Sequence, residues 1–76
     1  MSSVLEILKN IRPESNFQES EDFFEDGLLD SFDLMTLVSE LDKKYGISID
    51  GMEITPENFN NVRSIESLLK RNGVEL

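Results

Sequence analysis

The stretch "GLLDSFDLMTLVSEL", residues 27–41, decides how this chain folds. At roughly 100° of rotation per residue, Leu34, Leu37, Val38, Leu41 and the nearby Tyr45 share one sector about 100° wide. That pattern predicts a helix over residues 31–45 with a single buried face. Asp30 stands where a helix N-cap belongs, and Asp33 occupies the position of the capping-box glutamate with a shorter side chain. Lys43 and Lys44 supply cations to the last turn, and Gly46 supplies the stop. Ser31 therefore sits where a loop becomes a helix. Serine is commonplace there, so its hydroxyl has two readings: part of a helix start, or a point of chemical attachment.

Phe32 and Met35 do not share the buried sector, lying roughly 160° and 100° from its centre. Three readings fit them: the singly exposed hydrophobes of any ordinary surface, side chains packed beneath the preceding loop, or apolar anchors of a docking surface rimmed by Asp33, Glu40 and Asp42.

Working outward, Val4, Leu5, Ile7, Leu8 and Ile11 recur at helical spacing and predict a first helix over 3–12, ended by Pro13. Residues 13–30 keep no sustained period and form an unusually long connection for so small a chain. Phe17, Phe23, Phe24, Leu28 and Leu29 are spaced to pin that loop onto the core. In "ISIDGMEI", residues 47–54, apolar residues alternate around Asp50-Gly51, a hairpin signal. Two very short strands with no third partner are marginal in water, so the expectation is an extended loop with inward isoleucines. "TPENF" restarts the chain as a short helix over 56–60, with Thr55 as cap, Pro56 in the first position and Phe59 as anchor. A last helix over 62–72 follows, capped by Asn61, buried through Val62, Ile65, Leu68 and Leu69, and closed by Gly73. The expected fold is all-α: three main helices, one short one and a long first loop, in a single domain over residues 1–76.

The inventory excludes most chemistry. The chain has no cysteine and no histidine, so it offers no disulfide, no thiolate site, no Ser-His-Asp triad and no imidazole base or ligand. No apolar run approaches the roughly 20 residues that span a bilayer, and no signal peptide precedes the first helix. The expected location is the cytoplasm.

The formal net charge is −9, and its distribution is uneven. Between Arg12 and Lys43 there is no basic residue, while Glu14, Glu19, Glu21, Asp22, Glu25, Asp26, Asp30, Asp33, Glu40 and Asp42 all fall there. Such a block repels nucleic acid and anionic lipid; it either attracts basic patches on partner proteins or serves solubility alone.

The string "DGLLDSF", residues 26–32, followed by an amphipathic helix, resembles the 4′-phosphopantetheine attachment motif of the acyl carrier protein family. That family includes fatty-acyl, peptidyl and stand-alone D-alanyl carriers. The resemblance covers essentially the whole chain, from the first helix through the long acidic loop to the last helix. It implies a small four-helix carrier bundle with no catalysis of its own. It implies that Ser31 receives 4′-phosphopantetheine from coenzyme A through a phosphopantetheinyl transferase with Mg²⁺, and that Asp30 is its motif partner. The arm brings its own thiol, so a carrier needs neither cysteine nor histidine. Cargo rides as a thioester, loaded by an acyl or aminoacyl ligase and consumed by synthase or transferase enzymes with basic docking patches. Phe32, Asp33, Met35, Ser39, Glu40 and Asp42 are then the partner-facing set. Phe32 replaces the usual leucine of Asp-Ser-Leu and stays apolar. Ser39 replaces an apolar residue of many fatty-acid carriers, which bears on which enzymes bind. A monomer is expected, with no nucleic acid, no membrane insertion and no dedicated metal site.

Two rival readings use the same residues. One is an acidic interaction module without a prosthetic group. The other aligns Gly27 with the sixth position of a calcium-binding EF-hand loop, so that Asp22, Asp26, Asp30 and Asp33 fall at ligand positions. Phe24 then occupies a ligand position it cannot serve, and Asp33 is shorter than the expected glutamate.

Overall fold

In a computed structural model, which describes residues 3–76, four α-helices enclose one hydrophobic core. They are α1 (Ser3–Ile11), α2 (Ser31–Tyr45), α3 (Pro56–Phe59) and α4 (Val62–Arg71). Single 3₁₀ turns lie at Phe17–Glu19 and Gly51–Glu53. The radius of gyration is 11.2 Å, close to the value of about 11 Å expected of a folded chain this long.

α1 packs against both α2 and α4, and α3 against α4. The expected inward residues do fill the core: Val4 and Leu8 of α1, Leu37 and Leu41 of α2, Phe59 of α3, and Ile65, Leu68 and Leu69 of α4 are buried. Tyr45 and Val62 lie partly buried against them.

The long loop is fastened where its aromatics enter. Phe17 and Phe23 are buried and meet edge to face, with ring centroids 5.0 Å apart, an arrangement favoured by the ring quadrupoles. The Phe23 N–H donates to the Asn60 carbonyl at 2.7 Å, and the Asn61 Nδ2 donates to the Glu21 carbonyl at 3.1 Å. These bonds stitch the middle of the loop to the α3–α4 junction. The loop then turns back at Gly27, whose φ of +74° is one that glycine adopts without a Cβ clash. The Leu28 N–H closes this turn onto the Phe23 carbonyl at 2.8 Å. The chain leaves the turn through buried Leu29 and arrives at Asp30 and the start of α2.

Details depart from the sequence expectations. α1 stops at Ile11 rather than residue 12, α3 at Phe59 rather than 60, and α4 at Arg71 rather than 72. Thr55 stands at the cap of α3, but its side chain makes no cap bond; the Asn58 N–H instead reaches the Thr55 carbonyl at 3.1 Å. In residues 47–54 no strand forms, and the Asp50 side chain accepts the Met52 N–H at 2.8 Å, winding Gly51–Glu53 into a 3₁₀ turn. Gly51 is not among the positive-φ glycines, which a tight type I′ hairpin would require. Ile49 is buried and Ile47 and Ile54 are partly buried, so the isoleucines do point inward.

Candidate functional site

The site is built from the first turn of α2 and the residue that clamps it. Asp30 is extended, as an N-cap should be, and its Oδ1 accepts the Asp33 N–H at 2.9 Å. In return Asp33 Oδ2 accepts the Asp30 N–H at 3.1 Å, completing a capping box in which aspartate does the work of glutamate. Ser31 and Phe32 lie inside that box and are both exposed. Among the described residues the Ser31 hydroxyl takes part in no hydrogen bond. The capping duty falls to Asp30, leaving the Ser31 oxygen free at a positive helix end.

Arg12, just past the end of α1, closes on this box from outside. Its Nε donates to Asp33 Oδ2 at 2.9 Å, its Nη2 lies 2.8 Å from the same oxygen, and that Nη2 lies 3.5 Å from Asp30 Oδ2. Asp33, only 13% exposed at its side chain, thus serves as a bridge between helices. Hydrogen bonding and charge from Asp33 raise the Arg12 pKa above its ordinary value. The Asp33 N–H, helped by the Arg12 charge and opposed by some desolvation, holds the Asp30 carboxyl below the usual carboxylate range.

The remaining residues of the expected surface divide into two groups. Phe32 at 85% exposure, Met35 at 58% and Ser39 lie open on the outer side of α2. Neither Phe32 nor Met35 packs beneath the loop. Asp42 instead faces the following loop, where its Oδ1 accepts the Ile49 N–H at 3.1 Å. Glu40 lines an open groove of about 390 Å³ between α1 and α2, with Ile7, Asn10, Ile11, Asp33 and Thr36. The sequence reading did not single out Arg12. Its one signal was position, as the last cation before the acidic block.

The acidic loop is not arranged as a cation cage. Among the described residues no group of three or more acidic side chains is placed to hold a metal ion. The carboxylates that would ligate calcium already accept protein donors. Asp22 Oδ1 takes the Phe24 and Glu25 N–H groups at 3.1 Å each, Asp26 takes the Ser20 hydroxyl at 2.6 Å, and Asp30 and Asp33 form the capping box.

Ser31 thus presents an exposed hydroxyl with no internal partner, directly after an aspartate cap. The model of the family described as "Phosphopantetheine attachment site" matches residues 1–71. The chain belongs to the phosphopantetheine-attachment family of carrier proteins.

Two curated relatives are similar to this carrier, the D-alanyl carrier proteins of Leuconostoc citreum (strain KM20) and Leuconostoc mesenteroides subsp. mesenteroides. Each is 35% identical over 71 residues, covering 87% of this chain and 91% of the relative. No solved structure matches it. Membership makes the chain a carrier with a covalently attached 4′-phosphopantetheine, in a family that is itself non-catalytic. The arm supplies a thiol for thioester formation. The residues at the start of α2 fit such a group: Ser31 would offer an exposed hydroxyl for attachment, and Arg12 would offset part of the Asp30 and Asp33 charge beside it. No helix among the described residues is long and apolar enough to cross a membrane.

Proposed function

We propose that Ser31 is the attachment point and that the loaded arm carries an aminoacyl group, D-alanine or a close relative, between cytoplasmic enzymes. The single observation behind the attachment reading is the exposed Ser31 hydroxyl, spared from capping by Asp30 and held at the start of α2. In the modification, the Ser31 oxygen attacks the coenzyme A phosphorus that bears the pantetheine. A new P–O bond forms, the diphosphate P–O bond breaks, and adenosine 3′,5′-bisphosphate departs. The chain has no histidine, so the transferase must take the serine proton. The names of the two Leuconostoc relatives support the D-alanyl cargo.

Phe32, Met35 and Ser39 form the face offered to the transferase, the loading ligase and the downstream acceptor enzymes. Glu40 and the outer acidic residues supply a rim complementary to basic docking patches. Asp33 and Asp42 contribute to that rim mainly through the backbone they hold, because their carboxylates are bonded within the chain.

The test is direct. Wild-type protein is incubated with coenzyme A, Mg²⁺ and a broad-specificity phosphopantetheinyl transferase, and its intact mass is measured. A single pantetheine addition that is absent from Ser31→Ala is expected; an unchanged wild-type mass would overturn the attachment reading. Holo protein then meets ATP and a D-alanine-activating ligase, with L-alanine and a fatty acid plus their own ligases as competitors. Loading by a fatty acyl group in preference to D-alanine would overturn the cargo assignment.

A further inference from the structure

We infer that Arg12 is a positioning residue for the modification of Ser31, acting through the two carboxylates of the capping box. The inference rests on Ser31 being the attachment point. The two residues inside the box are Ser31, which is to react, and Phe32, the exposed apolar anchor beside it. Both residues that form the box are held from outside by one guanidinium, at 2.8 and 2.9 Å to Asp33 and 3.5 Å to Asp30.

That guanidinium comes from the residue that follows a different helix. Arg12 follows α1, and its own N–H continues the helical bonding to the Leu8 carbonyl at 2.9 Å. α1 is anchored to the core by Val4 and Leu8. The bridge therefore refers the direction of the first α2 turn to the body of the bundle. The turn's other anchors are its own backbone bonds and the apolar side chains of Leu29 and Leu34, which seat its inner side in the core and leave the two box carboxylates to Arg12. A side chain placed about 1 Å away from a productive position can lose a large part of a reaction's rate. The orientation of the serine oxygen is thus set from outside the motif.

Charge adds to geometry. Coenzyme A approaches as a polyanion, and Asp30 and Asp33 oppose it at short range. Arg12 is the cation bound to both. Its planar fork reaches two carboxylates together, which a lysine ammonium does less well. The arrangement also explains why Asp33 is nearly hidden although it lies beside the reacting residue: its carboxylate faces Arg12.

The experiment uses the apo protein and the same transferase, with Arg12→Gln, Arg12→Lys, Asp33→Asn and the double variant Arg12→Gln/Asp33→Asn. Arg71→Gln is the control, removing a surface cation whose ion pair with Glu53 at 3.8 Å lies in another part of the fold. Measurements are made well below each variant's melting temperature. Modification of the wild type tests the underlying attachment reading, and the variant-to-wild-type ratios test the role of Arg12.

Arg12→Gln is expected to lower kcat of modification by about tenfold with little change in KM for the carrier. Arg12→Lys is expected to recover part of the loss, Arg71→Gln to behave as wild type, and the double variant to be no worse than the more impaired single one. Without any enzyme, amide spectra of apo Arg12→Gln should show displaced Ser31 and Phe32 signals and faster hydrogen exchange in the first turn of α2. Unchanged kinetics, an effect confined to KM, or undisturbed Ser31 and Phe32 amides would each overturn the inference. Should Arg12→Gln fail to fold, the Arg12→Lys spectra and kcat decide by the same criteria.

Discussion

Arg12 and Asp33, twenty-one residues apart in sequence, meet through N···O distances of 2.8 and 2.9 Å and so join the end of α1 to the start of α2. The contact matters because Asp33 is also half of the capping box that surrounds Ser31. A single carboxylate oxygen accepts the Asp30 N–H and faces two guanidinium nitrogens. Helix initiation and interhelical packing are therefore one structure here.

The capping box should be sensitive to acid. The Asp30 carboxyl is held below its ordinary value chiefly by the Asp33 N–H and secondarily by Arg12. Its contribution is therefore fully present above the unfolded carboxyl pKa of about 3.9 and is lost as pH falls through the lower folded value. Hydrogen exchange of the first-turn amides of α2, followed by NMR below about pH 4, should show that turn opening. Asp30→Asn should shift or abolish the dependence; an identical acid profile in that variant would remove Asp30 as its source.

Phe23 should be the residue on which the long loop depends. It is 0% exposed, packs against Phe17 and donates its N–H to the Asn60 carbonyl. Phe23→Ala should cost about 3–5 kcal/mol, comparable to the whole stability of so small a domain. Phe23→Leu, which leaves most of the volume in place, should cost about 1–2 kcal/mol. Urea unfolding checks both, and equal, small losses would show that the loop is held elsewhere.

Phe32→Ala and Met35→Ala should leave the fold almost untouched, each changing stability by no more than about 0.5 kcal/mol. The same substitutions should weaken binding to the transferase or the loading ligase by about 1 kcal/mol or more. Calorimetric unfolding and a partner titration separate the two effects. A large loss of stability would mean that these side chains serve the core.

The net charge of −9 should make the apo protein respond to screening. Added Mg²⁺ or moderate salt should raise the melting temperature by about 4–8 °C for each kcal/mol of repulsion relieved. Because no acidic cluster among the described residues is arranged to hold a metal, Mg²⁺ and Ca²⁺ should behave alike and without saturation at low concentration. Tight, selective stabilisation by Ca²⁺ would restore the cation-loop reading.

The elements of this fold were readable because their causes are local. Spacing of Leu34, Leu37, Val38 and Leu41 fixes the buried face of α2, and the polar residues Asp30 and Asn61 mark helix starts through bonds to nearby N–H groups. The 3₁₀ turn at Gly51–Glu53 was not readable, because alternation of isoleucines is shared by a hairpin and by a loop that buries alternate side chains. The Asp50 bond to Met52 and the lack of a positive φ at Gly51 separate them. Likewise, the wheel placed Asp33 and Asp42 near the rim of a docking face, while the structure engages both carboxylates in internal bonds.

By itself, the sequence determined the helices, the missing catalytic inventory and the serine at a helix start, since each follows from residue type and short-range spacing. Tertiary structure alone decided that Asp33 turns toward Arg12, that Phe32 and Met35 stay uncovered, and that the long loop is bonded at Asn60. Those outcomes depend on which distant groups meet when the core closes. A side chain's partner across 21 residues is set by packing of both helices and leaves no periodic trace along the chain.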